Sequence, residues 1–172
     1  PQPGEDDPLQ RLDDLREIQA GVERILELKD SLYARAREAA TREYGAEVNL
    51  HGRKYGEPAV LARQLEQDRA MLYVPAFDDE LIMAGQGTVS LEIMADLSDA
   101  ETLIVPIGGG GLIAGIATAA KAIRPAIRVV GVEAAGAPAA LLSRRAGAIT
   151  TLAVAHSLAD GIVLKQLGER TY

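Results

Sequence analysis

The sequence predicts an α/β protein: an open, mostly parallel, twisted sheet with helices on both faces, preceded by a long N-terminal helical segment. Three observations predict it. Short apolar runs rich in branched residues alternate with helix-length runs, the pattern of parallel strands joined by crossover helices. Four consecutive glycines, Gly108, Gly109, Gly110 and Gly111, separate one such strand from the helix after it. Leu9, Leu12, Leu15, Ile18, Val22, Ile25 and Leu26 recur at spacings of three and four, which puts them on one helical face.

Each element has its own justification. Residues 9–44 read as helical, with charged residues opposite the apolar face and Gly21 as a break within it. Residues 45–52 read as a strand closed by a turn, residues 57–69 as a helix and residues 71–74 as a strand. Residues 75–80 form a loop with three carboxylates, Asp78, Asp79 and Glu80. Such a triplet caps the following helix and favours its dipole. Residues 88–97 read as that helix, with Ser98 and Asp99 as its stop. Residues 102–107 are uncharged and branched, as a buried strand should be. After the glycines, residues 112–120 read as a helix ending near Arg124 and Pro125. Residues 128–133 are a second buried strand and residues 138–145 a short helix. The remainder, through Asp160-Gly161-Ile162 to Tyr172, gives no clear periodicity.

Composition narrows the function classes. The chain has 172 residues, enough for one domain or a little more, and 48% are apolar, enough for a core. Five Tyr and one Phe are the only aromatics, so Ala, Val, Leu and Ile build that core. A net charge of −7 argues against a nucleic-acid surface. With no cysteine, disulfides and thiolate metal sites are excluded. The first eight residues are polar and acidic, unlike a signal peptide. A soluble, cytoplasmic protein is expected. The uncharged stretch 103–120 approaches the length of a membrane span. Pro106 and the glycines would break such a helix, so no membrane partner is expected.

The glycine run carries the chemistry. Without Cβ atoms its backbone N–H groups can close on an anion, and the helix N-terminus adds partial positive charge there. A turn that binds nothing would need one glycine; four weaken stability with no packing gain. A phosphate cradle is expected. It is not a nucleotide P-loop, because no Lys-Ser or Lys-Thr follows. A dinucleotide stays open as an alternative: Gly109-x-Gly111-x-x-Ala114 matches the G-x-G-x-x-A fingerprint, and Glu133 ends the next strand where a ribose-binding acid would stand. Both features fall at strand carboxyl ends, where such sheets bind ligands.

Four motifs stand in order: Ala84-Gly85-Gln86-Gly87-Thr88; Val105-Pro106-Ile107 with the four glycines and Leu112-Ile113-Ala114-Gly115; Gly131-Val132-Glu133-Ala134-Ala135-Gly136-Ala137-Pro138; and Ala159-Asp160-Gly161-Ile162. Together with Pro75-Ala76-Phe77-Asp78-Asp79, this text resembles the threonine ammonia-lyase (threonine dehydratase) and serine racemase family, over residues 37–172. The resemblance implies pyridoxal phosphate as cofactor and the fold of the tryptophan synthase β subunit, here incomplete. It implies a helical segment at 1–44, a remnant of a small domain at 45–75 and a cofactor-phosphate-binding domain at 76–172. Gly108, Gly109, Gly110, Gly111 and Leu112 would hold the cofactor phosphate, and Gln86-Gly87-Thr88 would shape the pocket. Glu133 with the carbonyl of Ala137 matches a divalent-cation site of some members; the second carboxylate of that site falls at Ala139, which has none to offer.

The departures concern catalysis. Family members form a Schiff base through a lysine in a Ser-Phe-Lys-x-Arg-Gly-Ala segment. Lys29, Lys54, Lys121 and Lys165 all lack that context. The nearest text is Ser31-Leu32-Tyr33-Ala34-Arg35-Ala36, with Tyr33 at the lysine position. His51 and His156 are single, and no catalytic triad or metal-binding pair appears. No catalytic residue is therefore assigned. The expectation is a shortened, catalytically impaired relative of a lyase that dehydrates and deaminates L-threonine to 2-oxobutanoate and ammonia. The alternatives are a non-catalytic partner subunit and an NAD-type dinucleotide binder. An incomplete sheet exposes edges and apolar faces, so a homo-oligomer is expected.

Overall fold

The computed structural model of the chain describes residues 35–50 and 57–172. Contacts divide the chain into two units, residues 1–52 and 53–172, each with its own internal packing. In the first unit, residues 35–43 are helical. Arg42 pairs with Glu38 one turn back at 3.0 Å, and Gly45, with φ +81°, ends the helix. The earlier part of the helix expected at 9–44 lies outside the described residues. Residues 46–50 pair with no strand, so the strand expected over 45–52 is not formed across them; His51 and Gly52 lie outside the described residues.

The second unit opens with α1 (Glu57–Arg69), at the bounds the sequence suggests. The strand expected at 71–74 is absent. The Tyr73 N–H donates to the Glu66 carboxylate at 3.0 Å, and the Arg63 guanidinium sits over the Tyr73 ring at 4.8 Å. Side chains of α1 thus take the backbone and ring that a strand would have offered to a neighbour.

Next comes α2 (Glu80–Asp96). It begins eight residues before the expected start at Thr88, directly after its N-cap Asp79, a member of the carboxylate triplet expected to cap it. Asp79 is extended, and its carboxylate accepts from the Leu81 and Ile82 N–H groups at 2.8 and 3.2 Å. The weak formers Gly85 and Gly87 stay helical because α2 packs tightly on the helix after the glycine run.

Strands β1 (Thr102–Pro106) and β2 (Arg128–Val132) pair in parallel, with Thr102 opposite Arg128 and Pro106 opposite Val132. They are joined by α3 (Gly111–Ile123). Met94, Leu103, Val105, Ile116, Ala120 and Ile127 form the core between α2, α3 and the strands. Side chains alternate along β1, so Val105 is 3% exposed while Ile104, on the other face, is 72% exposed. Val130 and Val132 are also exposed. Both strands were expected to be buried. Among the described residues the sheet has two strands, and nothing covers the Ile104 face.

Short helix α4 (Ala139–Ala146) follows, closed by Gly147 at φ +68°. A single 3₁₀ turn, Asp160–Ile162, marks the stretch where periodicity failed. No helix of the described residues is long and apolar enough to cross a membrane.

Candidate functional site

Strand β1 delivers the chain to the glycine run, and the Ile107 N–H, donating to the Val132 carbonyl at 2.8 Å, is the last ladder bond. Gly110 then takes φ +97° and serves as N-cap of α3 without any side-chain cap. That backbone conformation suits glycine above all other residues. Gly109, Gly110 and Gly111 are buried. Yet among the described residues no N–H from Gly108 through Leu112 donates to a protein acceptor. Buried donors are nearly always paired, so a row of unpaired ones at a helix N-terminus is unsatisfied without an anion or water. The helix dipole adds partial positive charge at the same point.

These donors border a cleft of about 390 Å³. Ala76, Phe77, Ile82 and Gln86 line it from α2 and the loop before it, and residues 160–164 from the 3₁₀ turn. Asp160 is the ionisable side chain among its lining residues. Lys121 and Lys165 are exposed elsewhere, donating to the carbonyls of Pro125 at 3.1 Å and Ala153 at 2.9 Å. Lys29, Lys54, Tyr33 and His51 lie outside the described residues. His156 is exposed, and its backbone N–H donates to the Gly136 carbonyl.

The cleft's back wall was not foreseen. Phe77 packs so closely on the loop that a Cβ on Gly109 would lie 2.5 Å from its ring, and one on Gly111 would lie 2.8 Å from its own Cβ. Asp78, in the triplet expected to cap α2, instead accepts from the Glu169 and Arg170 N–H groups at 3.1 and 2.9 Å. Glu80 reaches the same segment through an ion pair with Arg170. Residues 168–172 thereby form a strap behind the loop, where Thr171 and the Gly168 N–H both donate to the Gly109 carbonyl, at 2.6 and 3.2 Å. The one available signal was Phe77, the single phenylalanine of the chain, standing beside Asp78.

The other expected residues separate. Gln86 lines the cleft, whereas Gly87 packs against Gly115 of α3, and the exposed Thr88 hydroxyl donates to the Gly85 carbonyl at 2.8 Å. Glu133 does not border the cleft. Its two carboxylate oxygens accept from the Ala140 and Leu141 N–H groups at 2.7 and 2.8 Å, capping α4. Ala137 is buried, and among the described residues no group of three or more His, Cys, Asp or Glu could hold a metal ion.

With this geometry in view, the similarity to known proteins becomes specific. The L-threonine ammonia-lyase of Geobacter sulfurreducens is 50% identical over 133 residues, covering 77% of this chain and 33% of that protein. The catabolic L-threonine dehydratase TdcB of Escherichia coli K12 is 45% identical over 134 residues, covering 78% and 41%. The processed form of threonine deaminase isoform 2 from Solanum lycopersicum superimposes with a TM-score of 0.75 at 37% identity, covering 80% of this chain and 38% of that one. The chain thus spans between a third and two-fifths of the length of these curated relatives. The pyridoxal-phosphate dependent enzyme family matches residues 28–172, which include the glycine loop, its strap and the cleft that the loop borders, and the chain belongs to that family.

Proposed function

We propose that this chain forms the phosphate-holding part of a pyridoxal-phosphate site in an ammonia-lyase for L-threonine. The whole reaction eliminates water from L-threonine and takes one water back as the resulting imine hydrolyses, leaving 2-oxobutanoate and ammonia. The observation that carries this reading is the row of N–H groups from Gly108 through Leu112, at the start of α3, that have no acceptor among the described residues. A phosphate monoester fits it: several acceptor oxygens meet several neutral donors at a helix N-terminus, while the absent Cβ atoms admit Phe77 and Thr171 against the loop. Gly108, Gly109, Gly110, Gly111 and Leu112 hold the phosphate through the backbone, and Gln86 lines the same cleft. When bound, the cofactor supplies an electron sink for the α carbon of an amino acid. The residues of this chain bind and orient it.

Support for L-threonine comes from the relatives, whose names carry that substrate at 50% and 45% identity. The isolated chain is proposed to hold the cofactor weakly and without turnover, since no described lysine lines the cleft. Glu133 and Ala137 are proposed as the cap and the buried approach of α4 rather than as cation ligands, on the two amide bonds that Glu133 accepts. A cytoplasmic location belongs to the same reading and rests on the acidic, cysteine-free composition.

The test is a titration with pyridoxal phosphate and, in parallel, with pyridoxal, followed by borohydride reduction and peptide mapping. Tighter binding of the phosphorylated form is expected, with no lysine uniquely labelled and no sustained 2-oxo acid from L-threonine. Equal affinity for the two forms would overturn the cradle. A single labelled lysine or continuing 2-oxo acid production would overturn the impaired state of the chain.

A further inference from the structure

We infer that Thr171 is a positioning residue for the phosphate cradle, fixing the orientation of the Gly109–Gly110 peptide; this rests on the cradle being the cofactor-phosphate site. A run of four glycines does not specify its own conformation, because each residue reaches both halves of the backbone map. Something outside the run must choose which way each peptide faces. At the Gly109–Gly110 peptide the choice is visible. The Gly109 carbonyl accepts the Thr171 hydroxyl at 2.6 Å and the Gly168 N–H at 3.2 Å. In a planar trans peptide the carbonyl and the next N–H point in opposite directions. With its carbonyl turned into the strap, this peptide turns the Gly110 N–H away from it, and that N–H has no acceptor among the described residues.

The fit is mutual. A Cβ on Gly110 would lie 2.7 Å from the Thr171 hydroxyl oxygen and 2.8 Å from its Cβ. Glycine at 110 therefore admits Thr171, and Thr171 orders the loop. The strap does not need this hydroxyl to stay in place. It is anchored independently by Asp78 on the Glu169 and Arg170 N–H groups and by Glu80 on the Arg170 side chain. The Gly168 N–H also donates to the Thr171 oxygen at 3.0 Å, and of the two carbonyls within reach of the hydroxyl, Gly109 at 2.6 Å and Gly168 at 3.3 Å, Gly109 is the nearer.

The test compares Thr171→Val, which keeps the shape and loses the hydroxyl, with Thr171→Ser, which keeps the hydroxyl. Binding of pyridoxal phosphate, pyridoxal and inorganic phosphate is measured by calorimetry, and the Gly110 amide is followed by NMR during phosphate addition. Thr171→Val is expected to weaken both phosphorylated ligands by about tenfold, the effect of one hydrogen bond. Pyridoxal affinity stays unchanged, and the Gly110 amide loses its response to phosphate. Thr171→Ser retains wild-type affinity. Wild-type preference for pyridoxal phosphate together with unchanged Thr171→Val binding would overturn the inference and leave the cofactor site standing. Absence of that preference in the wild type removes the site and the inference together. If Thr171→Val does not fold, Thr171→Ala goes through the same titration; if neither folds, the hydroxyl holds the structure and the inference fails.

Discussion

The ring of Phe77 stands where a Cβ on Gly109 would have to go: an ideal Cβ there lies 2.5 Å from three of its ring atoms. The contact makes Phe77 the floor of the glycine loop. Gly109→Ala therefore drives the ring out of its seat. Overpacking of this kind costs about 1–3 kcal/mol. A calorimetric melt should show the loss, with pyridoxal phosphate affinity falling alongside it. Phe77→Leu added to Gly109→Ala should recover part of the stability, since neighbours in contact are not additive. Strict additivity in that double-mutant cycle would show that the ring is not what the new methyl meets.

Glu133 gives a sharper discrimination, because three roles predict three outcomes. As the cap of α4, through Ala140 and Leu141, its replacement by Ala should cost about 1 kcal/mol, as cap losses do. Pyridoxal phosphate binding should be untouched, because Glu133 does not border the cleft. Thermal melts with and without a divalent cation, and titration with a nicotinamide dinucleotide, check this. A wild-type melting point that rises with the cation and stops rising in Glu133→Ala would restore the metal role. Dinucleotide binding that weakens in Glu133→Ala would restore the ribose role.

What could be read from the sequence followed periodicity and end signals. Helix α1, both strands and the glycine run between β1 and α3 were legible, because apolar spacing and Gly punctuation act locally. The position of the proposed cradle followed for the same reason: its donors are backbone groups of consecutive residues. The brace behind it was not. Thr171 meets the loop across 62 residues of chain and Asp78 meets the strap across 91 and 92, and nothing local announces such pairs. Residues 71–74 carry a strand pattern, but the outcome was set by Glu66 and Arg63 on α1. The start of α2 was misplaced because Gly85 and Gly87 lower local propensity, while the packing that overrides it comes from α3.

The strap itself is testable through Asp78. Its carboxylate accepts two backbone N–H groups, and bonds to a charged acceptor on a partly exposed segment contribute about 1–2 kcal/mol together. Asp78→Ala should release residues 168–172, raising hydrogen exchange at Glu169 and Arg170 while the α2–α3 core stays protected. Asp78→Asn keeps a carbonyl acceptor and should fall between. Exchange that rises equally across the core would mean Asp78 supports the whole unit and not the strap.

Gly115 sets two effects against each other. Replacing a mid-helix glycine by alanine gains about 1 kcal/mol in helix propensity. At this position, however, a Cβ would press inside contact distance of the Met83 carbonyl oxygen and lie 2.8 Å from the Gly87 nitrogen. Both are backbone atoms of α2, so no side chain can rotate aside, and the two helices must move apart. Separation would also lift Ser90, buried and bonded to the Ile116 carbonyl at 2.8 Å, off its acceptor. The steric cost of about 1–3 kcal/mol, with about 1 kcal/mol more for that bond, outweighs the propensity gain. Gly115→Ala should lower the melting temperature, whereas Gly85→Ala, which meets nothing within 4 Å on the same helix pair, should raise it. Stabilisation by both substitutions would mean that α2 and α3 do not cross at these glycines.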